Sequence, residues 1–367
     1  MNLPKKMRAY VLTGHGGLEV LEYHTDWPVP VPGPLEVLVK VGACGMNNTD
    51  INTRSGWYSK AVAEATTGDA HSKVAEEQKD PSWGGKAISF PRIQGADAVG
   101  LVVDVGGHVD AKLVGQRVMI DCWLRDWDDP LNKAKTGYFG SECDGGFADY
   151  TVVDHRNVCP VNSPLSDAEL ATFSCSYSTA EGMLSRAQVT EGDTVLITGA
   201  SGGVGSALIQ LSHRRGARTV CLASEAKHAD IAALKPAAVL PRTPKDLCGS
   251  LRQAIGQDTV SVVADIVGGD YFGTVIDVLE RGGRYTCSGA IAGPLVELDL
   301  RTFYLRDLTF TGSTVLPPHV FVDLVGYIES GDVRPLLAAS YPLEELPEAQ
   351  KAFVAKKHTG NIAIVLS

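Results

Sequence analysis

Residues 194–216 constrain this chain more than any other stretch. Thr194-Val195-Leu196-Ile197 is a short apolar run, and Thr198-Gly199-Ala200-Ser201-Gly202-Gly203-Val204-Gly205 follows without a gap. From Val204 to Arg215 apolar residues recur at helical spacing, with Val204, Leu208 and Leu211 on one face. Glycines between a buried strand and an amphipathic helix leave free N–H groups at the helix start, where a phosphate is held. In that context Gly202 lets the main chain approach a pyrophosphate, and Gly205 lets helix and strand pack closely. Ala200 replaces the first glycine of the usual spacing. The block Ser201, Gly202, Gly203, Val204 and Gly205 is therefore read as a dinucleotide turn, against the alternative of a tight turn without a ligand.

The tip of the next strand decides which dinucleotide. It reads Cys221-Leu222-Ala223-Ser224-Glu225-Ala226-Lys227. An acid there would hold the ribose hydroxyls of NAD. Ser224 stands about 20 residues past the turn, where that acid is expected. A hydroxyl with Lys227 nearby suits a 2′-phosphate, so NADPH is the expected cofactor. Glu225 would become the NAD acid under a shift of one residue, and Lys227 has a second reading as a solvated lysine at a helix start.

Strands continue to alternate with helices around this unit. Asp167–Ser185 reads as helix, Thr219–Ala223, Val260–Asp265, Arg284–Ser288 and Leu308–Thr311 as strands, His319–Ser330 as helix and Asn361–Leu366 as an edge strand. That alternation implies a doubly wound parallel sheet, giving an α/β chain. The first 160 residues are different. Met7–Thr13, Glu36–Val41, Leu101–Val105 and Gln116–Ile120 read as strands of an antiparallel, partly open barrel. With 367 residues the chain suits two domains. The expected division is a β-rich catalytic domain over 1–160, a dinucleotide domain over 161–316, and a segment over 317–367 that returns to the first.

Partners follow from charge and hydropathy. A net charge of −10 argues against nucleic acid or an anionic membrane. No apolar run reaches the roughly 18 residues of a membrane span, and the basic N-terminus has no apolar core behind it. Eight scattered cysteines without a C-x-x-C pair read as reduced thiols of a cytoplasmic protein.

Further blocks carry a resemblance. Gly42-Ala43-Cys44-Gly45-Met46-Asn47-Asn48-Thr49-Asp50, Gln94-Gly95-Ala96-Asp97-Ala98-Val99-Gly100, Asp144-Gly145-Gly146-Phe147-Ala148-Asp149-Tyr150 and Thr359-Gly360-Asn361-Ile362, together with the glycine turn, resemble the medium-chain dehydrogenase/reductases. The likeness is to their quinone-reductase branch. It implies a GroES-like catalytic domain, a Rossmann domain, a cleft between them, a small-molecule substrate, and a homodimer joined through the sheet edge at Leu308–Gly312. It also implies that Thr179, Val267 and Gly289 line the nicotinamide or its ribose. Asn361 stands where many relatives carry a lysine.

The zinc enzymes of that family use Cys, His and Cys. Here Asn47 and Ala96 stand at the first two places and Cys175 at the third. An amide and a methyl are poor substitutes for sulfur and nitrogen donors, so no metal is expected. The alternative is an alcohol or aldehyde dehydrogenase with an improvised Cys44, Asp97 and Cys175 site. Without a Lewis acid, reduction of an activated C=C bond or a quinone asks less than alcohol oxidation. It needs a hydride, a hold on the carbonyl oxygen and a proton. Asn47–Tyr58 resembles, without gaps, the segment of zinc-free enoyl-thioester reductases that bears their catalytic tyrosine. Tyr58 is thus the expected proton donor, with Asn47 and Thr49 as secondary candidates. Tyr58 packing the mouth beside Trp57, and Asn47 and Thr49 serving as turn and cap residues, are the plainer readings. Ser59–Ser89 is either a lid or a surface insertion. A third class, a non-catalytic NADPH-binding protein, stays open.

Overall fold

The computed structural model describes residues 3–66 and 87–366. Thr194–Ile197 forms the first strand of a six-stranded, all-parallel sheet. Its neighbours are Arg218–Ala223 and then Ala238–Pro241 on one side. Val260–Asp265, Leu279–Cys287 and Thr309–Gly312 follow on the other. Numbered along the chain, these strands lie in the order 3-2-1-4-5-6, the order of a doubly wound dinucleotide fold. All four residues of Thr194–Ile197 are buried, because helices cover both faces of the sheet.

The second large sheet has seven strands. Val158–Pro160, Arg117–Ile120, Asp97–Val105, Glu36–Met46, Asn361–Val365 and Leu337–Pro342 lie side by side, and Tyr150–Asp154 also pairs with Glu36–Met46. A separate sheet joins Leu21–Pro28, Lys6–Leu12 and Arg92–Ile93. Every pair of strands within residues 1–160 is antiparallel, as expected, and the one parallel pair of this sheet, Leu337–Pro342 with Asn361–Val365, comes from the C-terminal segment.

Two expectations are corrected. Asn361–Val365 is an interior strand, bonded antiparallel to Glu36–Met46 on its other side. Its run Asn-Ile-Ala-Ile is buried throughout, so it lacks the alternation that an edge strand with one solvated face would show. The helix expected over Asp167–Ser185 is two helices, Asp167–Leu170 and Ser174–Arg186. The break presses the Ala171 carbonyl onto Gly45, where a Cβ would lie 1.9 Å from its oxygen. Tertiary contact overrides helical propensity at that point. Of Ser59–Ser89, residues 67–86 lie outside the described residues. Among the described residues no helix is long and apolar enough to cross a membrane.

Candidate active site

The glycine turn leaves the first strand of the parallel sheet where the strand order reverses, the place at which ligands of such sheets bind. Gly199 has φ +59°, so only a residue free of a Cβ sits there without strain. A Cβ on Gly205 would stand 2.3 Å from the Gly199 carbonyl oxygen; this glycine serves helix-to-strand packing. Gly202 is otherwise. A Cβ there would meet only the Gly199 oxygen at 3.6 Å, so the protein itself leaves room for one. The open space lies at the start of the twelve-residue helix Gly203–Arg214, whose first N–H groups face it.

Asn361 closes the other side of this start. Its Oδ1 accepts from Ser176 Oγ at 3.0 Å, and a Cβ on Gly203 would stand 2.2 Å from that Oδ1. Asn361 Nδ2 is buried and has no hydrogen-bond partner in the protein. Gly360 N donates to Ser201 O at 2.8 Å, binding the last strand to the turn. Ser201 and Val204 are half-buried.

Ser224 follows strand Arg218–Ala223 directly and is half-buried, and Glu225 beside it is exposed. Lys227 departs from the sequence expectation of a cation free to meet a phosphate. Its ammonium donates to Lys356 O at 2.8 Å, to His358 O at 2.5 Å and to Ser201 Oγ at 3.4 Å. Burial and the nearby Arg242 lower its pKa. Arg242, which sequence reasoning missed, is exposed and has no hydrogen bond or ion pair among the described residues. Ala223 pairs in register with Pro241, so Arg242 stands beside Ser224 at the same sheet edge. Only that parallel register brings the two together, and local sequence carries no sign of it. Lys356 was missed too. Its ammonium donates to Asn48 Oδ1 at 2.8 Å and sits over the Phe353 ring, and burial depresses its pKa to about 7.

Val267 and Gly289 lie at the carboxyl ends of the fourth and fifth strands. Val267 N donates to Asp265 Oδ1 at 2.8 Å. Asp265 also accepts from Thr198 Oγ1 at 2.6 Å and from Tyr285 OH at 2.8 Å, which fixes this edge against the turn.

The second half of the site gathers at the helix Asn48–Ser55. Asn47 caps it: Asn47 N donates to Asp50 Oδ2 at 2.7 Å, within a capping box. Asn47 Nδ2 donates to Asp97 Oδ2 at 3.0 Å, and Cys175 N donates to Asp97 Oδ1 at 2.7 Å. Tyr138 OH donates to Cys175 Sγ at 3.1 Å, and Cys175 also shares a side-chain hydrogen bond with Thr179. The Tyr58 hydroxyl shares hydrogen bonds with the side chains of Thr49 and Asn52, and its ring meets Trp57 edge-on at 5.6 Å. Burial pushes that phenol up to about 12, so it stays a proton donor at neutral pH. Burial likewise raises Asp50 to about 7 and Asp97 to about 8.

The two halves meet at one helix start. Cys175 N reaches Asp97, and the next residue, Ser176, reaches Asn361 beside Gly203. Tyr58, Asn47, Thr49 and Thr179 therefore share one neighbourhood with the glycine turn. Asn52 and Tyr138 were not singled out from sequence. Asn52 lies one turn along from Asn48, and Tyr138 sits in an irregular stretch without a motif.

The family zinc is poorly served here. The Asn47 amide is committed to Asp97, Ala96 offers no donor, and Cys175 is engaged by Tyr138 with its thiol pKa raised by burial. Cys44 packs in the core, its sulfur 2.8 Å from where a Gly95 Cβ would be. Among the described residues no three His, Cys, Asp or Glu side chains are grouped to hold a metal.

Residues 33–163 match the alcohol dehydrogenase GroES-like domain, and residues 236–364 match the zinc-binding dehydrogenase model. A solved structure of a proposed alcohol dehydrogenase from Sinorhizobium meliloti 1021 is 45% identical. It has a TM-score of 0.90 and covers 100% of this chain and 98% of its own. The mouse (Mus musculus) quinone oxidoreductase is 26% identical, over 99% of this chain and 98% of its own length. The acryloyl-coenzyme A reductase of Metallosphaera sedula is 25% identical over 98% and 99%. With the strand order, the glycine turn and these likenesses along nearly its whole length, this chain belongs to the medium-chain dehydrogenase/reductase superfamily.

Proposed function

We propose that this chain is an NADPH-dependent oxidoreductase that reduces an activated C=C bond, as in an enone or enoyl thioester, or a quinone, without zinc. The observation that carries this reading is the Tyr58 phenol. Thr49 and Asn52 hold it beside a locus where hydrogen bonds among Asn47, Asp97, Cys175 and Tyr138 stand in place of metal ligands. The names of the quinone oxidoreductase and acryloyl-coenzyme A reductase relatives support it.

The residues present fit the cofactor. The space at Gly202, the helix start at Gly203 and the orphaned Nδ2 of Asn361 suit a pyrophosphate. Ser224 and the unpaired Arg242 suit a 2′-phosphate. Thr179, Val267 and Gly289 would line the nicotinamide, which supplies hydride when bound. The domain over 161–316 would hold the cofactor, with residues 1–160 and 317–367 presenting the substrate. On the protein side, Tyr58 places its O–H proton where the reduced carbon or oxygen needs it. Asn47 Nδ2 has a second N–H beyond its bond to Asp97 to offer the developing negative charge, and Thr49 holds the Tyr58 hydroxyl in place. The C-terminal strand, tied to the turn through Gly360, keeps these groups in one cleft.

A second reading, an alcohol or aldehyde oxidoreductase with a metal, is favoured by the description of the Sinorhizobium relative. One experiment separates the two. NADPH oxidation by purified, metal-analysed protein is followed against quinones, enones, enoyl thioesters and aldehydes. Turnover of a C=C or quinone class without zinc is the expected result. Activity on aldehydes alone, with stoichiometric zinc, would reverse it.

The chain is further read as a cytoplasmic homodimer. Every cysteine is a free thiol. Among the described residues the edge strand Thr309–Gly312 is unpaired on its outer side, and Leu295, Val296, Leu300, Tyr304 and Leu305 are exposed nearby in sequence. Apolar groups of this kind beside an open edge suit a second copy. A sedimentation mass of one chain would end that reading.

A further inference from the structure

One ammonium near the glycine turn has no counter-charge. Lys356 lies in the loop that carries Gly360 to the turn, and its main chain is in the left-handed region at φ +51°, a strained place for a residue with a Cβ. Its side chain is half-buried. The ammonium donates to Asn48 Oδ1 at 2.8 Å and lies 3.6 Å from the centre of the Phe353 ring. Both partners are neutral, and among the described residues it makes no ion pair. Burying a charge with neutral partners alone is costly. The helix Asn48–Ser55 thus meets it with an amide and the helix Leu346–Val354 with a phenyl ring. The groups that can carry charge beside it are Lys227 from the turn Glu225–Lys227 and His358 from its own loop, and both are bases. Asp230, which accepts from Thr359 Oγ1 at 2.8 Å, bears on Lys227 together with Arg242.

A ring of contacts fixes where this ammonium stands. At the helix start, Asn361 Oδ1 faces Gly203 and accepts from Ser176 Oγ. The preceding residue, Cys175, donates its N–H to Asp97 Oδ1, and Asp97 Oδ2 accepts from Asn47 Nδ2. Asn48 follows and accepts from Lys356. The chain then runs to Gly360, whose N–H donates to Ser201 O, two residues before Gly203. The ring begins and ends at the start of helix Gly203–Arg214. It includes Asn361, 4% exposed, whose Nδ2 has no partner. Lys227 is spent on two carbonyls and Ser201, and Arg242 stands at the Ser224 edge. We propose that Lys356 is the cation for the dinucleotide's diphosphate, keeping its bond to Asn48 and offering its remaining N–H groups to the phosphates held at Gly202 and Gly203. This rests on the reading of the turn as a dinucleotide site. Because Asn48 opens the helix that bears Thr49, the same ammonium would tie the bound diphosphate to the catalytic side of the cleft. Burial and Lys227 leave Lys356 at about 7 in the free protein. A phosphate beside it favours the charged form, so binding draws a proton from solvent above about pH 7. Affinity is then full below that pH and declines above it.

Calorimetric titration of full-length, substrate-free protein with NADPH and NADH tests this. Lys356→Met should weaken both dinucleotides about ten- to hundredfold, the worth of a hydrogen bond to a charged group. Lys356→Gln keeps a donor for Asn48 but no charge, and should bind as poorly; Lys356→Arg should recover most of the affinity. With NADH, which lacks a titrating 2′-phosphate, wild-type affinity should fall above about pH 7. The binding heat should depend on the buffer's ionisation enthalpy, as proton uptake requires. Both features should be absent from Lys356→Gln. Coenzyme A, the diphosphate that a thioester substrate would bring, is titrated in parallel. A loss confined to coenzyme A would assign the ammonium to the substrate and overturn the proposal. So would wild-type affinity in Lys356→Met. Weak binding by Lys356→Met with normal binding by Lys356→Gln would reduce Lys356 to a tether of its loop. Melting temperatures show which variants fold, and the Gln and Arg variants decide the matter where Met does not. Wild-type protein that bound neither dinucleotide would overturn the reading of the turn itself, a failure visible before any variant is compared.

Discussion

The glycine turn and the carboxyl-lined cleft meet at consecutive residues, Ser176 and Cys175, yet they are made of different material. The turn is built from backbone. Its shape follows from missing side chains and one helix start, all within residues 198–205. The cleft is built from side chains drawn from positions 47, 50, 58, 97, 138 and 175, and their hydrogen bonds to one another fix it. A backbone site tolerates changes that keep its space open, whereas a side-chain site depends on each donor and acceptor being matched.

The largest expected effect tests the cleft. Tyr58→Phe removes one hydroxyl and its bonds to Thr49 and Asn52. It should lower kcat by about 10²- to 10⁴-fold, the usual worth of a placed general acid, while leaving KM for NADPH near wild type. Steady-state kinetics on the best substrate of the panel checks it. A loss confined to KM would instead make Tyr58 a wall of the pocket.

Next in size is a pair of substitutions within the turn. Gly205→Ala drives a Cβ against the backbone at Gly199 and Ala200, and should cost about 1–3 kcal/mol of stability. Gly202→Ala meets nothing closer than 3.6 Å, so its melting temperature should match wild type while NADPH binding weakens. Thermal melts with and without cofactor separate the two. Equal destabilisation would mean that Gly202 serves the fold rather than the ligand.

The same division explains how much was legible in the sequence. The turn, its strand and its helix were readable because periodicity and glycine spacing are local. The Asn361 strand reads as an edge because the partner on its second side, Glu36–Met46, lies some 300 residues earlier and its apolar run fits either place. Tyr58, Asn47 and Thr49 are proposed through resemblance. Nothing local said that Asn47 would bond Asp97, or that Tyr138 would reach Cys175. Arg242 was invisible because only the pairing of Ala223 with Pro241 sets it beside Ser224.

Two smaller effects concern how the 2′-phosphate is read. Arg242 has its donors free, so Arg242→Ala should raise KM for NADPH about tenfold, or 1.4 kcal/mol, and leave NADH unchanged. Lys227 should behave differently, although sequence position alone made it the favoured phosphate ligand. Its ammonium already serves two carbonyls of the 356–358 loop and the Ser201 hydroxyl. Lys227→Met leaves the two carbonyls without that donor and loosens the loop that carries Gly360 to the turn. The consequence falls on both dinucleotides alike, as a few-fold rise in KM for each, because the loss lies in the frame and not in the phosphate contact. The ratio of the two KM values is therefore the quantity to measure. If Lys227→Met weakened NADPH alone, the ammonium would have to leave its carbonyls when the cofactor binds. The nucleotide site would then depend on a moving side chain, as the cleft depends on its own, and the contrast between a backbone site and a side-chain site would fail at the 2′-phosphate.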